Sequence, residues 1–418
     1  MNRPAPVVDL GLPQGASPYR ARRPGRGVRL PSVDFDLTPE QREFRDVVRR
    51  FAQEVVAPRS AEADEAAELP MDVVKRMAEL GLFGLPFPEE HGGSNADTVT
   101  VCLAIEELGR VDQSIGITLS AAVGLGGTMV HRFGTPEQLE RWLGPIARGE
   151  ILASFALTEP GGGTDAAAAR TTARLDGDTW VIDGTKAFIT NCGTEISGLH
   201  VVAATTEYGG GTHGLSTFLV PADTIGITVA PPYRKMGWNA SDTHELTFDG
   251  VRVPQDALLG ERGRGYPQCL SILVDGRISV AALAVGCAQA CLDQGVAYAT
   301  ERETFGRPIG ANQAIQSKIA DMQVATEAAR LLTYRAAWLK DQDRPHTAEA
   351  SMAKLVASTA AVDCAREAVQ IHGGAGFMEE SAVARFYRDA KVLEIGEGTS
   401  EIQRLLLARE LGLPNAIG

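Results

Sequence analysis

The sequence has few side chains of the kind that bind metal ions. Its 418 residues include only six cysteines and seven histidines. None of them falls into CxxC, HxxxH or His–carboxylate spacing. Cys287 and Cys291 stand one helical turn apart and are predicted to be buried core thiols. Unpaired thiols are typical of a reducing compartment, so we expect no metal site and a cytoplasmic location.

Positive charge and long apolar runs are also scarce. The 53 acidic residues outnumber the 40 basic ones, and the net charge of −13 argues against nucleic acid as a partner. No apolar run approaches the ~20 residues that span a bilayer, so we expect no membrane span. The content of 44% hydrophobic and 22% charged residues is typical of a globular protein. The length allows two or three domains, each with its own core.

Residues 1–33 differ in character from the rest of the chain. They hold six arginines and a single acid, Asp9, among many prolines and glycines. The segment has no apolar run of the kind found in secretory signals, and its prolines interrupt any amphipathic helix. The composition predicts a disordered basic tail. The alternative is an extension that results from a wrongly assigned start site.

An all-helical N-terminal domain is predicted over residues 34–153. Thr38 is suited to cap a helix and Gln41 to complete a capping box, and the same signal returns at Thr135–Gln138. Apolar residues behind the first signal recur at helical spacing. Two further helices are expected over 71–80 and 98–108, ending at Gly81 and Gly109.

The character of the chain changes near Ile151. Residues 154–262 hold short β-rich runs separated by turn signals, including Asp176-Gly177 and Asp183-Gly184. This pattern predicts an antiparallel sheet or a small barrel. Residues 263–418 carry long alanine-rich runs with few prolines, which predict a helical bundle. The fold class is therefore α+β and multidomain, in the order α, β, α. The predicted strands include Trp180–Ile182, Leu199–Ala203, Ser216–Val220, Gly226–Val229 and Glu245–Phe248.

Two segments could carry chemistry. In the loop that follows Phe155, the consecutive glycines 161–163 let backbone N–H groups approach a flat or anionic ligand. The glycine spacing and the lack of a βαβ unit exclude a dinucleotide-binding fingerprint of the Rossmann type. Near the C-terminus, Glu397 stands between Gly396 and Gly398, and Thr399 is suited to cap the helix that follows. A lone glutamate is usually a solvated surface group, and a lone glycine run is usually a flexible loop.

Five segments together resemble, in identity and order, the signature segments of the acyl-CoA dehydrogenase family. That family consists of FAD enzymes, usually homotetramers, whose α–β–α subunit ends in a four-helix bundle. The resemblance covers essentially all of the chain outside the tail, from about Asp36 to Leu413. The segments are FALTEPGGGTD (155–165), KAFITN (186–191), RETFG (302–306), QIHGG (370–374) and LEIGEGTSEIQR (393–404).

The resemblance implies where FAD is held. One group of residues corresponds to contacts with the flavin ring: Phe155, Leu157, Thr158, Gly163, Thr164, Phe188, Ile189 and Thr190. A second group corresponds to contacts with the diphosphate and adenine across a subunit interface: Arg302, Phe305, Gln313, Gln370, Ile371, Gly373 and Gly374. Further flavin contacts are implied for Thr399 and Glu401. An arginine suits a diphosphate because it is permanently charged and multidentate.

The resemblance also implies the chemistry. Glu397 corresponds to the base that removes the α-proton of an acyl-CoA thioester while the β-hydrogen leaves as hydride to flavin N5. The product is the 2,3-enoyl-CoA, a step of fatty acid metabolism, and an electron-transferring flavoprotein accepts the electrons. Substrate contacts are implied for Thr164, Arg277 and Gly398. Relatives that move the base place a glutamate where this chain has Gly276, so no rival base is expected.

Two departures from the family pattern leave alternatives open. Many relatives have an aspartate at the position of Val274, whereas here the aspartate is Asp275, so the thioester carrier is either CoA or a carrier-protein pantetheine. Gly396 replaces a tyrosine that is frequent in straight-chain enzymes, so either the pocket accepts a bulkier or longer acyl group or another side chain fills the gap. A flavin oxidase or monooxygenase of the same fold is the alternative activity. A dimer is the alternative assembly.

Overall fold

The computed structural model describes residues 36–207 and 209–414, and the predicted basic tail lies outside the described residues. The N-terminal part is helical, as predicted. Thr135 and Gln138 form the expected capping box, in which each side chain accepts from the other residue's backbone N–H. The helices are α1 (Pro39–Phe51), α2 (Ala57–Ala66), α3 (Met71–Glu79), α4 (Thr98–Gly109), α5 (Gln113–Ala121), α6 (Thr128–Phe133), α7 (Pro136–Gln138) and α8 (Gly144–Ala147). Three π-helical segments link them: Ala52–Val56, Ala122–Gly127 and Leu139–Leu143.

The central part is an eight-stranded sheet. All five predicted β-rich runs correspond to strands, although Gly226 lies just before β6. The order along the sheet is β6-β7-β3-β2-β4-β5-β8, and β1 also pairs with β4. The strands are β1 (Leu152–Ala156), β2 (Thr172–Asp176), β3 (Thr179–Thr190), β4 (Ser197–Thr205), β5 (Leu215–Pro221), β6 (Ile227–Val229), β7 (Thr243–Pro254) and β8 (Leu258–Leu259).

The sheet is antiparallel at most of its pairings, as predicted, but parallel at two. The pairings of β1 and of β2 with β4 are parallel, while the other pairings in this sheet are antiparallel. The strands β1, β2 and β8 were missed in the sequence. A parallel pair needs a long connection between its strands, and here the glycine-rich loop, β2 and β3 provide it. This connection places the glycine-rich loop directly after β1, the strand that pairs with β4.

Two glycines predicted to end elements each make a close contact with a remote residue, and only Gly184 fails to end its element. Gly184 lies inside β3, where the register with β7 shifts, and its φ is 148°. A Cβ there would lie 2.6 Å from Cα of Thr171, so only glycine fits. Gly109 is the last residue of α4, and a Cβ there would lie 2.7 Å from Cδ1 of Leu283. Gly81 ends its helix at φ 74°, as predicted.

The C-terminal part is helical, as predicted. Its long helices α9, α10 and α11 pack on one another, and α13 packs on α11. A short hairpin, β9 (Glu303–Thr304) and β10 (Arg307–Pro308), connects α9 to α10. The helices are α9 (Gly265–Glu301), α10 (Gln313–Asp341), α11 (Thr347–His372), α12 (Ala382–Ala390) and α13 (Ser400–Glu410).

The two helical parts share one core instead of having a core each. Helix α4 packs on both α9 and α10, and every residue of α5 is buried. Helices that are apolar on all sides cannot form the outer layer of a separate bundle. The C-terminal helices therefore pack on α4 and α5 and cover their apolar surface. The sheet has a second cluster of its own, centred on Trp180, Phe218 and Phe248. The six cysteines are all free and buried, as predicted for Cys287 and Cys291.

Two helical stretches are longer and more apolar than the sequence analysis allowed. Gln113–Phe133 and Gly265–Glu301 are both long and apolar enough to cross a membrane. In each, 78% of the 18-residue window is buried inside the protein. Scattered small and polar residues hid these stretches from a search for unbroken apolar runs. Their burial is that of core helices.

Candidate active site

Glu397 lies in a left-handed turn directly before α13. Its φ is 56° and that of Gly398 is 90°. The left-handed region is unfavourable for a residue with a Cβ, so the turn must be held by its surroundings. The side-chain amide of Gln403 donates to the carbonyl oxygens of Glu397 (3.1 Å) and Gly398 (3.0 Å). As predicted, Thr399 caps α13, since its hydroxyl accepts from Ile402 N–H.

The carboxylate of Glu397 is in an unusual environment. Its Oε2 atom is buried and has no hydrogen-bond partner among the residues that the structure describes. Burial raises the pKa of Glu397 to about 7, although the charges of Arg277 and Lys354 oppose this change. A carboxyl with such a pKa accepts and releases protons near neutral pH. A buried oxygen without a partner is also costly, which points to a group that acts on a ligand.

Two buried cations flank this carboxylate. Arg277, on α9, is 6% exposed, and its Nε atom lacks a partner in the described part of the chain. Lys354, on α11, is fully buried, and its Nζ donates to the carbonyl oxygen of Gly398 at 2.8 Å. Burial lowers the pKa of Lys354 to about 8. The sequence analysis missed Lys354 and Gln403. For Lys354, the available signal was a single charge within an alanine-rich helical run.

The predicted flavin-ring segments lie side by side. The backbone N–H of Ala187 donates to the carbonyl of Thr158 at 2.9 Å. The buried Nζ of Lys186 donates to Oε1 of Glu159 (2.8 Å) and to the carbonyl of Leu157 (3.0 Å). Glu159 also accepts from two backbone N–H groups at the start of β2. This buried ion pair, which sequence reasoning missed, fixes the glycine-rich loop to β3.

These segments present an open surface suited to a flat ring. Phe188 is 64% exposed at φ 61°, with its ring centroid 5.0 Å from that of Tyr233. Phe155 and Thr190 are partly exposed, Gly163 and Thr164 are exposed, and Leu157 and Ile189 are buried. A Cβ at Gly161 or Gly162 would meet nothing within 4 Å, so the loop has space beside it. Exposed aromatic faces and hydroxyls beside open backbone are suited to an isoalloxazine ring.

The sheet and Glu397 are connected through the π-helical segment Ala122–Gly127. A Cβ at Gly126 would lie 2.8 Å from the carbonyl oxygen of Ala153, so the segment packs closely on β1. On its other side, Leu125 Cδ2 lies 3.2 Å from the Cβ position of Gly276, next to the Glu397 carboxylate. The small residues of this segment therefore bring the ring-binding segments and the glutamate into one region.

The residues predicted to hold the diphosphate and adenine form a second group. Arg302, Phe305 and Gln313 are exposed around the hairpin between α9 and α10. In the other predicted segment, Gln370, Gly373 and Gly374 are exposed, whereas Ile371 is buried. The ring of His372 stacks on that of Tyr298 at 4.2 Å, and the carbonyl of Tyr298 accepts from Arg302 N–H. Both segments thus lie at the same end of α9.

One chain does not bring the two groups together. Gly276 marks the first group on α9, and Arg302 follows the last residue of the same helix. At about 1.5 Å per residue, roughly 40 Å of helix separates them. Phe305, at φ 52°, is completely exposed at the tip of the hairpin. A single dinucleotide held by both groups would need a second chain.

Asp275 belongs to a separate ion cluster. Arg132 pairs with its Oδ2, Lys340 lies 3.2 Å away, and Nε2 of His346 lies 3.0 Å from its Oδ1. Asp275 is buried, yet His346 and these cations hold its pKa well below the usual range. This aspartate therefore ties α6, α9 and α10 together. Among the described residues, no group of three or more His, Cys, Asp or Glu is placed to hold a metal ion.

Comparison with known proteins decides the family. Three family models match: the acyl-CoA dehydrogenase N-terminal domain over residues 38–150, the middle domain over 154–251 and the C-terminal domain over 263–412. The chain belongs to the acyl-CoA dehydrogenase family. The resemblance, the three-part fold and the enzyme class predicted from the sequence are thereby confirmed. The protein is an oxidoreductase, and its family is one of flavoproteins.

Individual acyl-CoA dehydrogenases are similar over almost the whole chain. A probable acyl-CoA dehydrogenase of Bacillus subtilis is 49% identical and covers 91% of this chain and 100% of its own. A short-chain specific mitochondrial acyl-CoA dehydrogenase of Bos taurus is 46% identical, with coverages of 90% and 91%. The solved butyryl-CoA dehydrogenase of Megasphaera elsdenii has a TM-score of 0.88 at 40% identity, covering 90% of this chain and 99% of that one.

Proposed function

We propose that the protein oxidises the bond between the α and β carbons of an acyl-CoA thioester to the 2,3-enoyl-CoA, using FAD. The observation that carries this proposal is the buried Oε2 atom of Glu397, which has no hydrogen-bond partner among the described residues. Such an oxygen is available to accept a proton from a bound ligand. The pKa of Glu397, about 7, leaves it substantially ionised at neutral pH and basic enough to take an α-proton.

The chain's own residues have three tasks in this reaction. Glu397 removes the α-proton and holds it. Arg277 places a positive charge beside the reacting region, where negative charge develops on the thioester oxygen. FAD, when bound, supplies the acceptor for the β-hydrogen as hydride. Phe155, Thr158 and Phe188, with the other predicted ring contacts, would hold its ring on the open surface beside the glycine-rich loop.

The exposed hairpin supports an oligomer. Arg302, Phe305 and Gln313 lie too far along α9 to reach a ring held in the same chain, so we assign them to the diphosphate and adenine of FAD bound by a neighbouring copy. A homotetramer built of such pairs, or a dimer, completes each site. The segment Gln370–Gly374 lies next to the hairpin and would join it, with Thr399 and Glu401 as further flavin contacts.

Several finer assignments rest on the family resemblance. The electron acceptor is an electron-transferring flavoprotein, and the location is cytoplasmic. Thr164, Arg277 and Gly398 contact the substrate. We also propose residues 34–153, 154–262 and 263–418 as the three domains. The support for this division is that β1 begins at Leu152 and α9 at Gly265, each within two residues of a proposed boundary.

Anaerobic reduction of the bound flavin tests the proposal. Acyl-CoAs of increasing length and branching are mixed with flavin-loaded protein, and the loss of flavin absorbance is followed in time. We expect Glu397→Gln to bind FAD and acyl-CoA but to bleach about 10³-fold more slowly. Glu410→Gln, the same change on an exposed carboxylate at the end of α13, serves as the matched control. Bleaching of Glu397→Gln at the wild-type rate would contradict the assignment.

A further inference from the structure

Lys354 is a buried ammonium group to which no carboxylate of the described residues is hydrogen-bonded. It lies on α11 with no exposed surface, and its Nζ donates a hydrogen bond to the backbone carbonyl of Gly398 at 2.8 Å. Burying an ammonium group is much more costly than burying a neutral donor. The amide of Gln403 already donates to the same carbonyl at 3.0 Å. Satisfying that oxygen therefore does not require a charge.

The charge of Lys354 acts on Glu397. The groups that face the carboxylate are Arg277 from α9 and Lys354 from α11, and both favour its ionised form. Lys354 in turn is influenced by Arg277, which disfavours its charge, and by Glu394, Glu397 and Glu401, which favour it. At the surface, Lys391 and Arg404 act on Glu401. Of these charged side chains, only that of Lys354 is hydrogen-bonded to the backbone of the Glu397–Gly398 turn.

The backbone of that turn gives Lys354 a second task. Glu397 and Gly398 both have positive φ, and a residue with a Cβ is strained in this region. Lys354 and Gln403 hold the carbonyl groups of the turn from two different helices, α11 and α13. A buried hydrogen bond from a charged donor is stronger than one from a neutral donor.

Resting on the proposed role of Glu397 as the base, we propose that Lys354 is a positioning residue that fixes the Glu397–Gly398 turn and keeps the base ionised at neutral pH. It contacts neither substrate nor flavin. Arg277 lies near the reacting atoms. Lys354 acts on Glu397 indirectly, through its hydrogen bond to the backbone of Gly398 and through the charge of its ammonium group.

Two substitutions separate charge from hydrogen bonding. Lys354→Gln can still donate to the Gly398 carbonyl but is neutral, and Lys354→Met keeps the volume of the stem without charge or donor. Loss of the cation raises the pKa of Glu397. In a plot of the rate of flavin reduction against pH, the acidic limb therefore moves to higher pH in both variants, by about one unit. At pH 6, below that limb, this shift is a loss of about tenfold in rate. Gln403→Met loses the parallel donor but keeps the charge, so its limb stays in place.

A second measurement does not depend on turnover. The carboxyl infrared band of Glu397, recognised by its absence in Glu397→Gln, is titrated in the flavin-loaded protein without substrate. We expect its midpoint to rise in Lys354→Gln and Lys354→Met and to stay unchanged in Gln403→Met. An unchanged midpoint in the two lysine variants overturns the inference, as does failure of both to fold and bind flavin, because Lys354 would then have a general structural role. If Glu397→Gln bleaches normally, the proposed function itself fails, whatever the lysine variants do.

Discussion

Gly276 and Glu397 face each other in direct contact. A Cβ at Gly276 would lie 2.8 Å from Oε2 of Glu397 and 3.2 Å from its carboxyl carbon. Residues 276 and 397 are far apart in sequence but are neighbours in the fold. The helix α9 can therefore approach the base only where it has no side chain. The same contact excludes a second carboxylate at position 276 while Glu397 keeps its present place.

Alanine at Gly276 should displace the base. Its methyl group cannot fit against the carboxylate, so Glu397 must move, and a shift of about 1 Å costs about 100-fold in rate. Gly396→Ala is the matched control, because a Cβ there meets only the carbonyl oxygen of Val392, at 3.6 Å. We expect Gly396→Ala to keep most of the activity. Stopped-flow flavin reduction measures both variants, and equal rates for the two would show that the contact is unimportant.

A larger side chain at Gly396 should narrow the range of substrates. The open surroundings of this glycine suggest a roomy pocket beside the base, and Gly396→Tyr would fill it. For longer and branched acyl-CoAs we expect kcat/KM to fall by about 10-fold to 200-fold, while butyryl-CoA is retained. A wild-type enzyme that already prefers the unbranched four-carbon substrate over bulkier ones would show that another side chain fills the space.

The buried pair of Glu159 and Lys186 should be important for stability. Glu159→Gln leaves the ammonium of Lys186, which is fully buried, without its countercharge, so we expect a loss of about 3–5 kcal/mol in the free energy of unfolding. The exposed pair of Arg252 and Asp176 gives the control: Asp176→Asn should cost less than about 1 kcal/mol. Denaturant unfolding of the flavin-loaded protein measures both. Equal effects would mean that the buried pair does not hold the loop.

The base should make the protein less stable as pH rises. Because the pKa of Glu397 is raised to about 7 in the folded state, the folded protein binds a proton that the unfolded chain has already released. The stabilisation that results from this proton is fully present below pH 4.5 and is lost as pH rises through about 7. Between pH 4.5 and pH 8, the stability of wild type relative to Glu397→Gln should therefore fall by up to about 3 kcal/mol. Thermal unfolding at several pH values tests this, and a constant difference would contradict the raised pKa.

Local signals in the sequence were sufficient for much of the fold. The capping box at Thr135 and the helix end at Gly81 depend on neighbouring residues only, and both are found as predicted. The turn signal Asp183-Gly184 was misleading, because the close approach of Thr171 demands glycine there for a reason remote in sequence. Gly109 ends α4 as predicted, but its close contact with Leu283 on another helix could not be inferred from neighbouring residues.

The same division holds for the active site. The sequence by itself determined the family, the order of helical and β segments and the candidate base, because these depend on residue type and spacing along the chain. Only the tertiary structure decided what surrounds Glu397. Gly276, Arg277, Lys354 and Gln403 come from three helices and meet only when these pack. Burial and the charges of residues that are remote in sequence set the pKa of the base. Neither can be deduced from the segment LEIGEGTSEIQR alone.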